Sequence, residues 1–202
     1  MRFHAFAATI FSLVAIAYAD ADEPDHGATA KSILQNLRQG FEALAGAANQ
    51  FHGSPDGLTS AASGLLENLE ADLVRMKNIP SLKATQCLPL VSPALKVEKH
   101  GNILAGVLKA RRPEIELHSL CDTVEGFLSR GVDTSAEFME VLKRKVPLLV
   151  RPVVKLSGDM TIKTLKQLRD HFSSDVCINR SLHWCPRSSP LMLAPKHTCL
   201  VK

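Results

Sequence analysis

The chain has 202 residues, 46% of them hydrophobic and only 5% aromatic, with 24 Lys and Arg against 20 Asp and Glu. A net charge of +4 is too mild and too dispersed for a nucleic-acid partner. One Trp and one Tyr leave little with which to stack sugar rings, so lectin-like binding is disfavoured.

Arg2 is followed by an apolar run from Ala5 to Ala17, then by Ala17-Tyr18-Ala19 before Asp20. This is the pattern of a signal peptide over residues 1–19 with a small-residue cleavage site. Its removal takes Arg2 and leaves 23 basic against 20 acidic side chains. No later segment reaches the ~20 apolar residues of a membrane helix, so the mature chain is not expected to be an integral membrane protein. The expectation is a secreted, extracellular protein, with any cell-wall association non-covalent or through sugar. Residues 20–28 are polar and read as a flexible start.

The stripe Ile33, Leu34, Leu37, Phe41, Leu44, Ala48, Phe51 keeps one helix face apolar and predicts a helix over about Thr29–Phe51. His52-Gly53-Ser54-Pro55-Asp56-Gly57 breaks it. A second stripe, Leu58, Ala62, Leu65, Leu66, Leu69, Leu73, Met76, predicts an antiparallel neighbour ending at Asn78 before Pro80. Ser92-Pro93 suits an N-cap and first helical position, so a third helix is placed over Pro93–Ala110. Its inner face carries Val97, His100, Leu104, Val107 and Leu108, and Gly101 and Gly106 weaken it.

Arg112-Pro113 is read as opening a fourth helix with Leu117, Leu120, Cys121, Val124, Phe127 and Leu128, ending at Gly131. Thr134 with Glu137 is read as a capping box that starts a fifth, with Phe138, Val141 and Leu142 inward, ending or kinking at Pro147. The stripe resumes from Leu148 to Phe172, where Ser157-Gly158-Asp159 is a point of division into two helices. The fold class is therefore all-α: an up-and-down bundle of five to six amphipathic helices over residues 29–174, followed by an irregular Cys-containing tail over 175–202. Lys143-Arg144-Lys145 reads as a solvated face, or as a site of attraction to anionic lipid or polysaccharide.

No nucleophile elbow, phosphate loop, dinucleotide fingerprint or zinc-protease motif is present, and a non-enzymatic protein without cofactor is expected. His183-Trp184-Cys185 and His197-Thr198-Cys199 resemble metal-ligand pairs, but they lack the two-to-four residue spacing of such pairs and sit in an oxidising compartment. Disulfides are the stronger reading, so no metal site is assigned. The disulfide candidates are Cys87, Cys121, Cys177, Cys185 and Cys199. A Cys87–Cys121 bond would tie the fourth helix to the loop before the third, and the alternative for Cys121 is a buried thiol. Asn179-Arg180-Ser181 is a glycosylation sequon.

Apolar stripes must bury against each other or against an apolar guest. The candidate cavity residues are Phe41, Leu44, Leu65, Leu69, His100, Leu104, Leu108, Val124, Phe138 and Leu142, each of which also reads as plain core packing. His100 is the one polar group among them, either a boundary residue or a partner for a carboxylate head.

Several segments carry a resemblance: Asn49-Gln50-Phe51-His52-Gly53, Gly64-Leu65-Leu66, Lys109-Ala110-Arg111-Arg112-Pro113, Val124-Glu125-Gly126-Phe127-Leu128 and Phe138 to Pro147. In order and spacing the chain resembles the fungal hydrophobic surface-binding protein A family, which shares a domain with cell wall galactomannoproteins. The resemblance implies a secreted or wall-associated mannoprotein-like bundle that adsorbs to hydrophobic solid surfaces, or encloses a fatty acid or other lipid between its helices. It also implies secreted esterases as partners, and it supplies no catalytic residues. The competing reading is a structural cell-wall or host-interaction protein, effector-like, with a dry core. The chain departs from the family in its Cys-bearing tail and in lacking a Ser/Thr-rich stalk.

Overall fold

The computed structural model describes residues 25–180. The expected leader, the terminal segment with His183, Cys185, His197 and Cys199, and Ser181 of the sequon lie outside the described residues. Five long helices carry the fold: α1 His26–Asn49, α2 Asp56–Asn78, α3 Val91–Leu117, α4 Cys121–Lys145 and α5 Arg151–His171. A short helix, Ala84–Cys87, and a 3-10 turn, Leu88–Leu90, lead into α3. There is no strand among the described residues, in agreement with the all-α expectation.

The first two helices follow their stripes closely. α1 begins three residues earlier than Thr29 because the Asp25 carboxylate accepts from the Ala28 amide at 3.0 Å, satisfying one of the free amides at the helix start. α2 starts at Asp56 and ends at Asn78, where Ile79 turns to extended backbone ahead of Pro80.

The middle of the chain is divided differently from the expectation. Pro113 does not open a helix; it lies inside α3, which runs on to Leu117. Proline removes only one amide there, while Ile115 is fully buried in the core and Arg112 bonds Glu116 across one turn at 2.7 Å. Together these hold the last turn in place. The chain turns out of α3 instead at Ser119, two residues past its end, whose φ is +56°. The Leu120 amide donates to Ile115 O and the Ser119 amide to Glu116 O, the paired bonds of a Schellman ending without its usual glycine.

Gly131 likewise ends nothing. It lies within α4, and a Cβ built on it would stand 3.8 Å from Leu66, so it faces α2. Glu137 is not a capping residue but an ion-pair partner of Lys77 at 2.6 Å. Ser157-Gly158-Asp159 does not divide α5. Gly158 is buried, and a Cβ there would fall 2.5 Å from the Met139 thioether methyl, so it sets a close approach to α4.

The main helix contacts are α1 with α2 and α3, α2 with α4, α4 with α5, and α5 with α3. They close a ring of five helices in the order α1, α2, α4, α5, α3. The loop after α2 is clipped to the end of α4: the Leu82 amide donates to Lys145 O at 2.6 Å, and Lys145 Nζ donates to Lys77 O at 2.8 Å. Within the basic triplet, Lys143 pairs with Glu140, so two of its three cations serve the fold.

Candidate functional site

The interior of the ring holds two apolar clusters rather than one. The first gathers Phe41, Leu44, Phe51, Leu104, Leu108, Ile115, Val124, Leu168 and Phe172. The second gathers Ile33, Leu69, Leu73, Met76, Leu82, Leu90, Phe138 and Val146. Leu34 and Leu37 of α1 pack against both clusters while remaining partly accessible. They form a seam between the clusters. Side chains at the seam lack the full complement of neighbours that close packing supplies.

The sequence candidates divide across that seam. Phe41, Leu44, Leu104, Leu108 and Val124 are brought together in the first cluster, with Leu65 packed on its margin. Leu69 and Phe138 lie in the second, with Leu142 on its margin. They do not line one common chamber. Leu65 reaches α1 at Gly40, where a Cβ would stand only 2.5 Å from the leucine methyl.

His100 is half-buried at the α1–α3 contact, and both of its ring nitrogens are engaged. Nε2 lies 2.8 Å from the Glu42 carboxylate and Nδ1 lies 2.6 Å from Lys96 O. The carboxylate it meets is the protein's own. Gly101, beside it, allows the Phe41 ring to approach to 3.5 Å of a built Cβ.

Where α1 passes the start of α3, a groove of about 380 Å³ opens, lined by Lys31, Leu34, Gln35, Arg38, Pro89, Ser92, Pro93 and Lys96. Its lining holds three cations and no acid. Arg38 is paired with Glu42 at 2.8 Å, whereas Lys31 and Lys96 are exposed and have no ion pair among the described residues. Leu34 belongs both to this groove and to the seam, so the two adjoin. The sequence signal was present in Pro89 and Pro93 but concerned helix boundaries, and nothing in it linked those prolines to cations on α1.

The cysteine expectation is corrected. Cys121 bonds to Cys177, while Cys87 is a free, buried thiol that burial pushes up. The start of the presumed irregular tail is thus a strap stitched across the α3–α4 corner. The Arg112 guanidinium donates to Val176 O, the Arg180 amide to Glu116 O at 2.8 Å, and the Cys121 amide to Asn179 Oδ1 at 2.9 Å. Asn179 therefore acts as an external cap for the amino end of α4. Its Nδ2, the atom on which a glycan would be built, donates to Asp122 at 2.9 Å. The Arg112 hydrogen bond holds the Glu116 carboxyl below its ordinary value, against its partial burial.

One other acid is buried. Asp72 on α2 meets Arg75 at 2.8 Å and Asn36 at 3.5 Å; burial raises its carboxyl above the ordinary range, and Arg75 offsets part of this. Among the described residues no group of three His, Cys, Asp or Glu side chains is placed to hold a metal ion. Among them, too, no helix is long and apolar enough to cross a membrane.

The sequence matches no protein-family model and no curated protein. The fold does match solved structures. Ligand binding domain 1 of the Penicillium marneffei MP1 protein, complexed with arachidonic acids, superposes with a TM-score of 0.69 at 20% identity, over 72% of this chain and 97% of that one. Ligand binding domain 2 of the same protein, complexed with multiple arachidonic acids, does so with a TM-score of 0.69 at 16% identity, over 72% and 95%. AfMP4p in complex with palmitic acid gives 0.69 at 13% identity, over 73% and 99%. This chain shares the five-helix fold of those domains.

Proposed function

We propose that this chain is a secreted, non-catalytic lipid-binding protein that takes a long-chain fatty acid at the seam between its two apolar clusters. The observation that carries the reading is that Leu34 and Leu37 bridge the clusters yet remain accessible, in a fold whose solved examples hold arachidonic or palmitic acid. Extracellular placement rests on the leader pattern of residues 1–19. Wall association through sugar remains part of the same reading.

The mechanism is apolar burial with a charged mouth. Each methylene taken from water contributes about 0.8 kcal/mol, so ten methylenes contribute roughly 8 kcal/mol before the cost of ordering the chain and opening the seam. The carboxylate stays at the groove, facing Lys31 and Lys96, where leaving it half-solvated avoids the penalty of a buried charge. His100 is committed to Glu42 and takes no part. Its role is to join α1 to α3 beside the mouth.

The test is displacement of a fluorescent fatty acid from delipidated full-length protein by palmitate. Saturable displacement is expected, with at least a tenfold loss of affinity in Leu37→Trp, which fills the seam, at unchanged helicity. A Lys31→Glu/Lys96→Glu variant weakens palmitate binding and leaves its methyl ester unaffected. Absence of saturable binding to the delipidated protein would overturn the proposal in favour of a dry structural bundle.

A further inference from the structure

α5 presents two different faces. Gly158 and Leu168 are buried, and Val154 packs against the second cluster. On the opposite side Val153, Leu156 and Met160 follow one another at steps of three and four, which places them in one narrow stripe along the helix axis, and Leu149 adjoins it from the turn before the helix. Exposures are 47%, 57% and 42% along the stripe, 75% at Leu149 and 74% at Leu148. Isolated exposed leucines need no explanation, but a continuous stripe of this kind marks a contact surface.

The charge beside the stripe is one-sided. α5 carries Arg151, Lys155, Lys163, Lys166 and Arg169 against Asp159 and Asp170, and Arg169 is already paired with Asp170 at 2.7 Å. Lys155, Lys163 and Lys166 are exposed, have no ion pair among the described residues, and lie along one edge of the stripe, interleaved with Asp159 and with the Asp170 that Arg169 already pairs. The other edge is neutral, with Ser157 and Thr164. An apolar stripe edged by cations is the pattern of a helix lying in the plane of an anionic lipid interface.

We infer that the outer face of α5 docks the protein onto an anionic lipid bilayer. Leu149, Val153, Leu156 and Met160 enter the headgroup and acyl boundary, while Lys155, Lys163 and Lys166 meet the lipid phosphates. The far end of α5 is pinned by buried Leu168 and Phe172 and by the Cys121–Cys177 bond. The stripe shares no residue with the Lys31–Lys96 groove, so the inference goes beyond the carrier reading and stands or falls separately.

Flotation of full-length protein with vesicles of phosphatidylcholine and phosphatidylglycerol tests it. Wild-type protein is expected to float with mixed vesicles, at least tenfold more weakly with phosphatidylcholine alone, and less as salt rises. Leu156→Asp and Lys155→Glu/Lys163→Glu should each reduce flotation at least tenfold. Both change exposed side chains, so the thermal midpoint and palmitate displacement should be unmoved. Failure of wild-type protein to float, equal flotation with phosphatidylcholine alone, or flotation indifferent to Leu156→Asp would each overturn the inference. A self-association that Leu156→Asp abolishes, without vesicle binding, would assign the stripe to a second copy instead.

Discussion

Removing the Cys121–Cys177 bond tests how the strap contributes to the fold. The two cysteines are 56 residues apart, and closing a loop of that size in the denatured chain removes about 14 cal/mol/K of entropy, or about 4 kcal/mol at 25 °C. The clean perturbation is Cys121→Ala/Cys177→Ala, since both side chains are almost fully buried and a serine hydroxyl would be left without a partner there. The bond also holds Asn179 over the Cys121 amide, and loss of that cap adds about 1 kcal/mol. Total destabilisation of about 5 kcal/mol is expected. At roughly 2–4 °C per kcal/mol for a domain of this size, the thermal midpoint falls by about 10–20 °C. Urea unfolding read by circular dichroism measures the loss, with the slope rising because the unlinked denatured chain is more expanded. A loss under about 1 kcal/mol, or a peptide map of the oxidised protein linking Cys121 to Cys87, would refute the reasoning.

Three further outcomes are expected. Gly158→Val places a branched side chain where Met139 already stands at 2.5 Å from a Cβ, so stability falls by about 1–3 kcal/mol and urea midpoints read it; an unchanged midpoint would show that α5 does not pack closely there. Asp72 has a carboxyl raised above 3.8 by burial, so the native state holds its proton more tightly than the unfolded chain, and its contribution is lost as pH rises through the folded value. Asp72→Asn should therefore gain on wild type as pH rises through that window and run parallel above it; a gain by wild type instead would reverse the assignment. His171 is pushed below 6.5 by burial first and by Arg112 and Lys109 next, so the native state disfavours its proton. Wild-type stability should fall as pH drops through 6.5 and level off below the folded value, whereas His171→Gln should lack that component in parallel unfolding curves.

Helix identity was legible wherever a stripe ran unbroken. Ile33 to Phe51 and Leu58 to Met76 gave α1 and α2 to within a few residues because their spacing leaves only one face to bury. Local breaker signals failed in the middle of the chain. Pro113, Gly131 and Thr134 each carry a weak local preference, at most about 3 kcal/mol, which the burial of Ile115 beyond Pro113 and of Val132 and Phe138 beside Gly131 and Thr134 overrides. The true break at Ser119 had no signal, because its left-handed turn is imposed by the bonds of Leu120 and Ser119 back to α3 rather than by a glycine.

By itself the sequence determined an all-helical chain with more apolar faces than one helix can hide, since periodicity is a local property written in consecutive residues. Tertiary structure alone decided that Cys121 pairs with Cys177 rather than Cys87, and that the ring runs α1, α2, α4, α5, α3. It also decided that the inward leucines divide into two clusters with Leu34 and Leu37 between them, and that the stripe from Leu149 to Met160 stays outside. An apolar face must be covered, but its own residues do not say by what. Which faces meet is settled by the competition among all of them for a limited interior.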